Sequence, residues 1–391
     1  MKFCFCVAEY NPLHNGHLKH IEYIKKELNA EHIIVIMSGN FTQRGEPAVL
    51  NKYERAKQAI TAGASLVIEL PTVFATANAE VFAKGAIKTA NSLGVEAGIC
   101  FGVESGEKDE YLKLARLLSQ ESKEYKATLK KYLDSGVSLA KAKCETIKEL
   151  YPEDNFENLL SKPNNVLGVE YTKAILQTES KLLEIFPMQR FGDHNDKTLK
   201  KGITSATSIR EKLKQGKIKA VKNNLPKFVY KSLKAYPNTF EDIIMSSLIL
   251  ANAKDMENLA DCSEGLENRL KALSKDNLNL NDLIEKATTK RYTSSRIKRL
   301  LIANLLGITK TLVQDALKEK LYAKILAVKE SEKDLISLLT KTATVPLLTR
   351  KSCVVNLKKT AKDCFSKDVI AQELFNLINK EKNNEFHTLF V

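Results

Sequence analysis

The chain has 391 residues, of which 43% are hydrophobic and 28% charged, with a net charge of +14. This composition is typical of a folded globular protein and excludes a disordered or collagen-like chain, and the length predicts two or three domains. No stretch reaches the roughly 18 apolar residues that a membrane helix needs, so we expect no membrane anchor. The seven cysteines are scattered and form no CxxC pair, which favours free thiols in a reducing cytoplasm over a zinc site.

The first 100 residues alternate short apolar runs with amphipathic stretches, a pattern typical of βαβ units and a parallel sheet. Strands are predicted near Lys2–Val7, His32–Met37, Leu66–Leu70 and Ala97–Phe101, and helices near His17–Leu28, Lys52–Ala62 and Ala77–Ser92. Cys4 and Cys6 are interpreted as small core residues of the first strand. The predicted fold class is α/β with a doubly wound parallel sheet, whose ligands bind beyond the carboxyl ends of the strands.

A Lys- and Glu-rich stretch with helical periodicity follows at about 107–150 and is predicted to be a helical insertion without chemistry of its own. A helix at Pro163–Ala174, a strand at Leu182–Phe186 and a helix from Thr204 to Leu213 complete a nucleotide-binding domain, predicted to span residues 1–215. Residues 216–391 carry Leu, Ile and Ala at helical spacing. They are predicted to form a mostly α-helical C-terminal domain.

The excess positive charge lies in the second half of the chain. Residues 1–200 contain 26 basic and 26 acidic residues, whereas residues 201–391 contain 35 and 21. Within residues 201–234, ten residues are basic and only Glu211 is acidic. Clustered Lys and Arg bind a phosphate backbone by releasing its counterions, so this half is predicted to bind RNA. A lysine-rich surface without a polyanionic partner is the alternative.

The strongest chemical signal lies between the first strand and the first helix, in the run AEYNPLHNGH from Ala8 to His17. Two histidines three residues apart lie on one face of a helix. At a helix N-terminus, where free N–H groups and the dipole attract anions, His14 and His17 can both contact a triphosphate. Gly16 allows close approach of a nucleotide to the backbone. A turn with two ordinary surface histidines is the alternative.

Two further runs supply groups that bind anions. The run TSATSIR, from Thr204 to Arg210, places hydroxyls and an arginine at a helix start, where short hydroxyls cap the helix and arginine offers a bidentate fork to phosphate oxygens. By itself this run is more typical of a simple helix cap. The run SGNFTQRGEPA, from Ser38 to Ala48, follows the second predicted strand, and its Asn40, Gln43 and Arg44 are of the types that hold a small carboxylate.

These motifs carry a resemblance to a known family. The run N-P-x-H-x-G-H resembles the signature of the HIGH-motif nucleotidyltransferase superfamily. Together with Ser38–Ala48, Glu69–Pro71, Phe101–Gly102 and Lys162–Gly168, it makes residues 1–215 resemble the bacterial tRNA(Met) cytidine acetate ligase family, and the resemblance continues more loosely into Arg291–Arg299. Gly63-Ala64-Ser65 and residues 191–196 depart from the family pattern.

The resemblance implies an ATP-dependent ligase that forms acetyl-adenylate and transfers the acetyl group to N4 of the wobble cytidine of elongator tRNA(Met), giving N4-acetylcytidine. It implies ATP, acetate and tRNA as ligands, and no stable protein partner is predicted. Magnesium is expected as the partner of the triphosphate, although no carboxylate cluster in the sequence indicates a dedicated metal site. The implied catalytic residues are His14, His17 and Arg44. The residues implied for ATP are Val7, Ala8, Glu9, Tyr10, Asn11, Pro12, Leu13, Asn15, Gly16, Leu18, Lys19, His20, Gly102, Asn165 (with Asn164 as the alternative), Arg190, Thr207, Ser208 and Arg210.

A basic track is predicted to hold the tRNA phosphates, with Tyr292 stacking on an unpaired base. Its members are Lys212, Lys214, Lys217, Lys219, Lys222, Lys227, Lys290, Arg291, Arg296, Lys298 and Arg299. Two other functions remain open. An adenylyltransferase for a small phosphorylated cofactor precursor explains the histidine motif but not the basic half. An RNA-binding protein without catalysis gives no reason for keeping both histidines and Arg210.

Overall fold

A computed structural model of the protein describes residues 1–154, 156–178, 181–190, 204–233, 239–276 and 278–391. Their strands are joined in one sheet. The strands are β1 (Phe3–Ala8), β2 (His32–Ser38), β3 (Leu66–Leu70), β4 (Ala97–Val103), β5 (Leu183–Gln189), β6 (Ala323–Val328), β7 (Leu347–Leu348) and β8 (Leu389–Phe390).

Helices cover the sheet and form most of the second half of the chain. They are α1 (Asn15–Lys26), α2 (Lys52–Thr61), α3 (Thr72–Ala75), α4 (Ala79–Asn91), α5 (Lys108–Ser119), α6 (Lys123–Asp134), α7 (Leu139–Leu150), α8 (Glu157–Ser161), α9 (Pro163–Leu176), α10 (Ala206–Lys214), α11 (Lys227–Ser232), α12 (Thr239–Leu250), α13 (Ala253–Met256), α14 (Leu266–Leu273), α15 (Leu280–Ala287), α16 (Ser294–Leu306), α17 (Lys310–Lys318), α18 (Asp334–Thr342) and α19 (Lys359–Asn379). In the described ranges, none of these helices has the length and apolarity needed to cross a membrane.

The order of the strands places a switch point beside β1. The parallel part of the sheet runs β5-β4-β1-β2-β3. The chain therefore leaves β1 in one direction through β2 and β3, and then returns to β4 on the other side of β1. At such a point the connections diverge and leave a crevice beyond the carboxyl ends of the strands. The crevice is expected beyond β1 and β4, where the histidine motif begins.

Both faces of the sheet are buried, which explains the continuous apolar runs of its strands. One face packs against α1, α2 and α10 through residues such as Ile21, Ala59 and Ile209. The other packs against α4, α5 and α9 through Phe82, Tyr111 and their neighbours. The predicted strands and helices of the first 215 residues are confirmed close to their predicted bounds, including the helical insertion, which forms α5 to α7. The predicted α/β fold class is also confirmed.

Three strands from the end of the chain extend this sheet. Strand β6 pairs antiparallel with β3, and β7 and β8 pair parallel with β6. These strands were not predicted from the sequence, because a short apolar run such as AKILAV cannot be distinguished from a buried helix by periodicity. Residues after 320 therefore complete the sheet that carries the motifs. A boundary near residue 215 stays a prediction.

Candidate active site

A cleft of about 480 Å³ opens at the predicted switch point. It is lined from the ends of β1, β4 and β5, from the start of α1, α9 and α10, and from the loop after β2. The structure thus brings together most of the residues predicted for catalysis and ATP binding. Those that line the cleft are Val7, Ala8, Glu9, Tyr10, Asn11, His14, Gly16, His17, His20, Arg44, Gly102, Arg190, Thr207 and Arg210.

His14 and His17 cap the first turn of α1 with their own rings. Nδ1 of His14 accepts a hydrogen bond from the backbone N–H of Gly16 at 3.0 Å, and Nδ1 of His17 accepts one from the N–H of His14 at 3.2 Å. The rings stack with their centroids 3.8 Å apart. A nitrogen that accepts a hydrogen bond carries no proton, so in both rings the proton lies on Nε2. Each histidine is therefore a neutral donor through Nε2, and its Nδ1 is occupied.

Burial keeps His17 and His20 neutral. Burial lowers the pKa of His17 well below its ordinary value, and its neighbours His14 and Arg190 lower it further. Burial and Arg190 also lower the pKa of His20 to about 4. Nε2 of His20 lies 3.2 Å from Sγ of Cys100 on β4. The site therefore faces its ligand with hydrogen-bond donors whose protonation does not change near neutral pH.

Two arginines meet at one hydroxyl on the side of the cleft formed by α10. Nη1 of Arg44 donates to Oγ1 of Thr207 at 3.3 Å, and Nη2 of Arg210 donates to the same oxygen at 3.4 Å. Nη1 of Arg210 also donates to the backbone oxygen of Asn11 at 3.0 Å. Ser205 caps α10 by accepting from the N–H of Ser208 at 3.1 Å. The predicted late motif and the loop after β2 thus form one cationic wall, as phosphate binding requires.

The opposite end of the cleft is held by Arg190 and Asn164. Nη1 of Arg190 donates to Oδ1 of Asn164 at 3.1 Å, and Nδ2 of Asn164 donates to the carboxylate of Glu104. Burial lowers the pKa of Arg190, and the carboxylate of Glu104 opposes that effect. A Cβ atom on Gly102 would lie 3.0 Å from Cγ of Arg190, so glycine permits this arginine to lie across β4.

Asn164 lines the cleft, whereas Asn165 lies behind it. Oδ1 of Asn165 accepts from the N–H groups of Glu104 and Ser105, and its Nδ2 donates to Oγ of Ser105 and to the backbone oxygen of Asn158. All donor and acceptor groups of that side-chain amide have protein partners. The geometry favours Asn164 as the ligand and gives Asn165 the task of holding the turn after β4.

The cleft also has an apolar wall that the sequence analysis missed. It is formed by Phe82, Phe101, Ala140, Leu160, Val166, Leu167 and Tyr171. Ala140 belongs to the helical insertion, to which no role was assigned. The aromatic members are the kind of residue that also fills a core, so spacing alone could not separate the two roles.

Arg55 was also missed, although it fixes the loops that carry the motifs. It is fully buried on α2. Its Nε donates to the backbone oxygen of Leu50 at 2.9 Å, and Nη1 donates to those of Glu9 at 2.6 Å and Ser38 at 2.9 Å. Nη2 donates to the oxygen of Gly39. One side chain therefore joins the ends of β1 and β2. No local signal marked it, because at about 100° per residue Arg55 lies at the border of the apolar face of α2 and not on it.

Some predicted residues do not line the cleft. Within the described residues, the cleft wall does not include Pro12, Leu13, Asn15, Leu18, Lys19, Asn165 or Ser208. Leu13 is in the core, and Asn15 donates to the backbone oxygen of Asn223 at 3.1 Å. Asn40, which was predicted to help hold a small carboxylate ligand, is buried. Its Nδ2 donates to Oε1 of Gln372, and its Oδ1 accepts from the backbone N–H of Lys52. Direct contact of these residues with a ligand stays a prediction.

The basic track divides into two parts. Lys214, Lys217, Lys219, Lys222, Lys227, Lys290 and Arg291 are exposed, and Lys212 is half-buried. Members on α16 have internal partners: Nε of Arg299 lies 2.7 Å from Asp261, and Nη1 of Arg296 lies 3.0 Å from Glu264. The hydroxyl of Tyr292 donates to the backbone oxygen of Glu264. Residues 191–196, which depart from the family pattern, lie outside the described residues. Ser65, which also departs from it, accepts from the N–H of Ile33 at 3.1 Å.

Comparison with known proteins agrees with this geometry. The HIGH Nucleotidyl Transferase family matches residues 1–388. The tRNA(Met) cytidine acetate ligase of Caldanaerobacter subterraneus subsp. tengcongensis is 37% identical over 386 residues, which cover 96% of this chain and 94% of that protein. The protein of the same name from Clostridium novyi is 35% identical, with 96% and 94% covered. The chain belongs to the tRNA(Met) cytidine acetate ligase family.

Two solved structures extend the likeness to the whole fold. The chain superposes on Thermotoga maritima TmcAL in an apo form with a TM-score of 0.94 and 29% identity, covering all of both chains. It superposes on the same protein bound with alpha-thio ATP with a TM-score of 0.91, again over all of both chains. The family resemblance stated from the motifs is confirmed, and so is ATP as the nucleotide.

Proposed function

We propose that this protein activates acetate with ATP and transfers the acetyl group to N4 of the wobble cytidine of elongator tRNA(Met). In the first step an acetate oxygen attacks the α-phosphorus of ATP, the bond from that phosphorus to the bridging oxygen breaks, and pyrophosphate leaves. In the second step the N4 amine attacks the carbonyl carbon of acetyl-adenylate. AMP leaves with the electron pair of the broken C–O bond, and the nitrogen loses one proton.

The observation that carries the proposal is the pair of capping histidines on the cleft wall. Their Nε2–H groups are donors fixed by backbone hydrogen bonds, and such donors act where negative charge develops on the α-phosphate. Neither ring offers a free nitrogen that accepts a proton, because both Nδ1 atoms bond backbone N–H groups. We therefore assign His14 and His17 to stabilisation of the phosphate and not to general base catalysis.

The rest of the wall suits the other ligand groups. Thr207 and Arg210 are proposed for the β- and γ-phosphates, since arginine forks match phosphate oxygens. Arg190 and Asn164 are proposed for the nucleoside end, between β4 and β5. Gln43 and Arg44, which both line the cleft, are proposed for the acetate. Asn40 is left out of that pocket, because its amide bonds Gln372 and Lys52.

Magnesium is proposed to accompany the triphosphate. Within the described residues, no group of three or more His, Cys, Asp or Glu side chains is arranged to hold a metal ion. Magnesium in nucleotide enzymes is commonly held by the phosphates, water and one or two side chains. The protein's own contribution would then be the arginines and histidines that surround the phosphates.

To test the proposal, the protein is incubated with ATP, labelled acetate and bacterial tRNA, and each of the three is omitted in turn. The nucleosides of the recovered tRNA are then analysed. The expected result is label in N4-acetylcytidine, with pyrophosphate released, and its loss in the His17→Ala variant. Label that is absent from the tRNA in all reactions, while the protein adenylylates a small phosphorylated precursor, would refute the proposal. In that outcome the cleft would belong to a cofactor adenylyltransferase.

A further inference from the structure

A carboxylate in the loop after β2 connects the cleft to helix α16. Oε1 of Glu46 lies 2.5 Å from Nζ of Lys298 on α16, and its Oε2 lies 3.6 Å from Nε of Arg210 on α10. The Glu46 side chain is 16% exposed. Burial by itself raises the pKa of Glu46, but Lys298 and Arg210 outweigh this and hold that pKa below its ordinary value. Glu46 is therefore a charged group shared by the cleft wall and the C-terminal half.

The backbone beside Glu46 is fitted to α16. Gly45 has a φ of +71°, in the left-handed region that favours glycine. A Cβ atom there would lie 2.4 Å from the backbone nitrogen of Arg299 and 2.5 Å from the carbonyl carbon of Lys298. The loop thus packs directly against the α16 backbone at Gly45. The Glu46–Lys298 ion pair joins the same two elements one residue further along the loop.

The same carboxylate faces a crowded pair of cations. Arg44 and Arg210 both donate to Oγ1 of Thr207. Two guanidinium groups that share one hydroxyl repel each other, and the repulsion grows where water is displaced. The carboxylate of Glu46 lies beside Arg210 and offsets this repulsion.

We propose that Glu46 is a positioning residue that acts through Arg210, and that Lys298 of α16 holds it in place. Glu46 keeps the Arg210 guanidinium oriented toward Thr207 and the cleft, so that the phosphates of ATP meet a formed cationic wall. The inference rests on the proposed function for the assignment of this wall to the phosphates. Helix α16, whose basic residues were expected to serve only the RNA, then also serves the nucleotide.

The first test compares Glu46→Gln with Glu332→Gln. Glu332 is a matched control, because its side chain is 19% exposed and ion-paired with Lys329 at 2.8 Å. It also contacts His32 at the start of β2, at the end of the parallel strands opposite the cleft. Equilibrium ATP binding is measured without acetate or tRNA, followed by KM for ATP and kcat. Glu46→Gln is expected to weaken ATP binding and raise KM about 10-fold, which is close to 1.4 kcal/mol, with a smaller change in kcat. Glu332→Gln is expected to bind ATP as the wild type does.

A charge exchange separates positioning from simple stability. The double variant Glu46→Lys with Lys298→Glu restores an ion pair between the loop and α16 but places a cation beside Arg210. Positioning predicts that this variant recovers thermal stability relative to Glu46→Lys and still binds ATP at least about 10-fold more weakly than the wild type. If the double variant recovers both thermal stability and ATP affinity, the proposal is overturned. The Glu46–Lys298 pair would then only stabilise the contact between the loop and α16.

Two outcomes keep this inference separate from the proposed function. Unchanged ATP binding by folded Glu46→Gln overturns the positioning role, even if the protein makes N4-acetylcytidine. If Glu46→Gln does not fold, Glu46→Asp replaces it, because the shorter carboxylate keeps the charge farther from Arg210. Weaker ATP binding by Glu46→Asp supports the role and unchanged binding overturns it. Absence of acetylation by the wild type would refute the function without changing either binding result.

Discussion

Replacement of Arg55 by lysine tests whether one buried guanidinium holds the two strand ends together. Arg55 donates to four backbone oxygens, those of Glu9, Ser38, Gly39 and Leu50. These oxygens surround a planar fork. Lysine keeps the positive charge but places three donors at a single point, so at least one buried carbonyl loses its partner.

The size of the effect follows from the groups left without partners. A buried carbonyl that loses its hydrogen bond costs about 1–3 kcal/mol, and bonds to a charged donor lie in the upper part of that range. With one or two carbonyls affected, Arg55→Lys is expected to lower the free energy of unfolding by about 3 kcal/mol. Because the loops after β1 and β2 carry Glu9 and Arg44, ATP binding should also weaken in the fraction that remains folded.

The assay is denaturant unfolding of both variants, followed by ATP binding below the transition. Arg116→Lys on α5 is the matched control, since Arg116 is exposed and its replacement should change stability by less than about 0.5 kcal/mol. A loss of stability in Arg55→Lys that does not exceed that of Arg116→Lys would refute the reasoning. It would mean that the four carbonyls find other partners.

Three further predictions concern the histidines, a buried carboxyl and the RNA surface. His17→Ala removes the fixed Nε2 donor, and we expect kcat for acetate-dependent ATP–pyrophosphate exchange to fall about 100-fold or more. A fall below about 10-fold would contradict the assigned role. Burial and Glu69 raise the pKa of Asp368 to about 7. Between the unfolded-state pKa, near 4, and pH 7, the folded state therefore holds a proton that the unfolded state has lost. The free energy of unfolding contributed by this group falls as the pH rises through that range. Asp368→Asn should therefore gain stability relative to the wild type across that window, by at most about 1.4 kcal/mol per pH unit. Denaturant unfolding of both proteins at pH 5 and pH 8 measures this gain. If the two free energies of unfolding differ by the same amount at both pH values, the shifted pKa is contradicted. The double variant Lys217→Glu with Lys219→Glu should raise KM for tRNA and reduce the salt dependence of that KM without changing ATP binding. Lys341 is exposed on α18, and Lys341→Glu should change neither KM for tRNA nor ATP binding. If Lys341→Glu raises KM for tRNA as much as the double variant does, Lys217 and Lys219 do not belong to the RNA surface.

The residues whose position at the cleft follows from the sequence are those placed by local structure. His14 is the extended N-cap residue of α1 and His17 lies in its first turn, so a capping box brings the two rings together. Thr207 and Arg210 lie three positions apart near the start of α10, so the helical repeat puts both on one face. The order of the strands then brings these two helix starts to one edge of the sheet, which βαβ connectivity makes predictable.

Other features depend on contacts that no local pattern encodes. The choice between Asn164 and Asn165 depends on the rotation of α9 about its axis, because neighbouring helical residues point about 100° apart. That rotation is fixed by the packing of α9 on α4 and α5, and the weak amphipathicity of α9 gives no clue to it. The partner of Glu46 lies 252 positions away on α16, among basic residues that composition assigned to RNA. Strand β6 was missed because its pairing with β3 joins distant parts of the chain.

The distant contacts converge on one segment, the loop between β2 and α2. On one side it is held by Lys298 of α16, and on the other Asn40 donates to Gln372 of α19 at 2.9 Å. Behind it, Nζ of Lys52 lies 2.8 Å from Oε1 of Glu69 and 2.7 Å from Oε1 of Glu385. This buried cluster contains residues from both ends of the chain. The loop has internal backbone hydrogen bonds, such as that from the N–H of Ala48 to the oxygen of Asn40 at 2.8 Å, and these partners fix its position against the rest of the molecule. Partners from both halves of the chain, Arg55 of α2 among them, therefore set the geometry in which Gln43 and Arg44 reach the cleft. The loop that carries these two residues depends on the C-terminal half as well as on the first 215 residues.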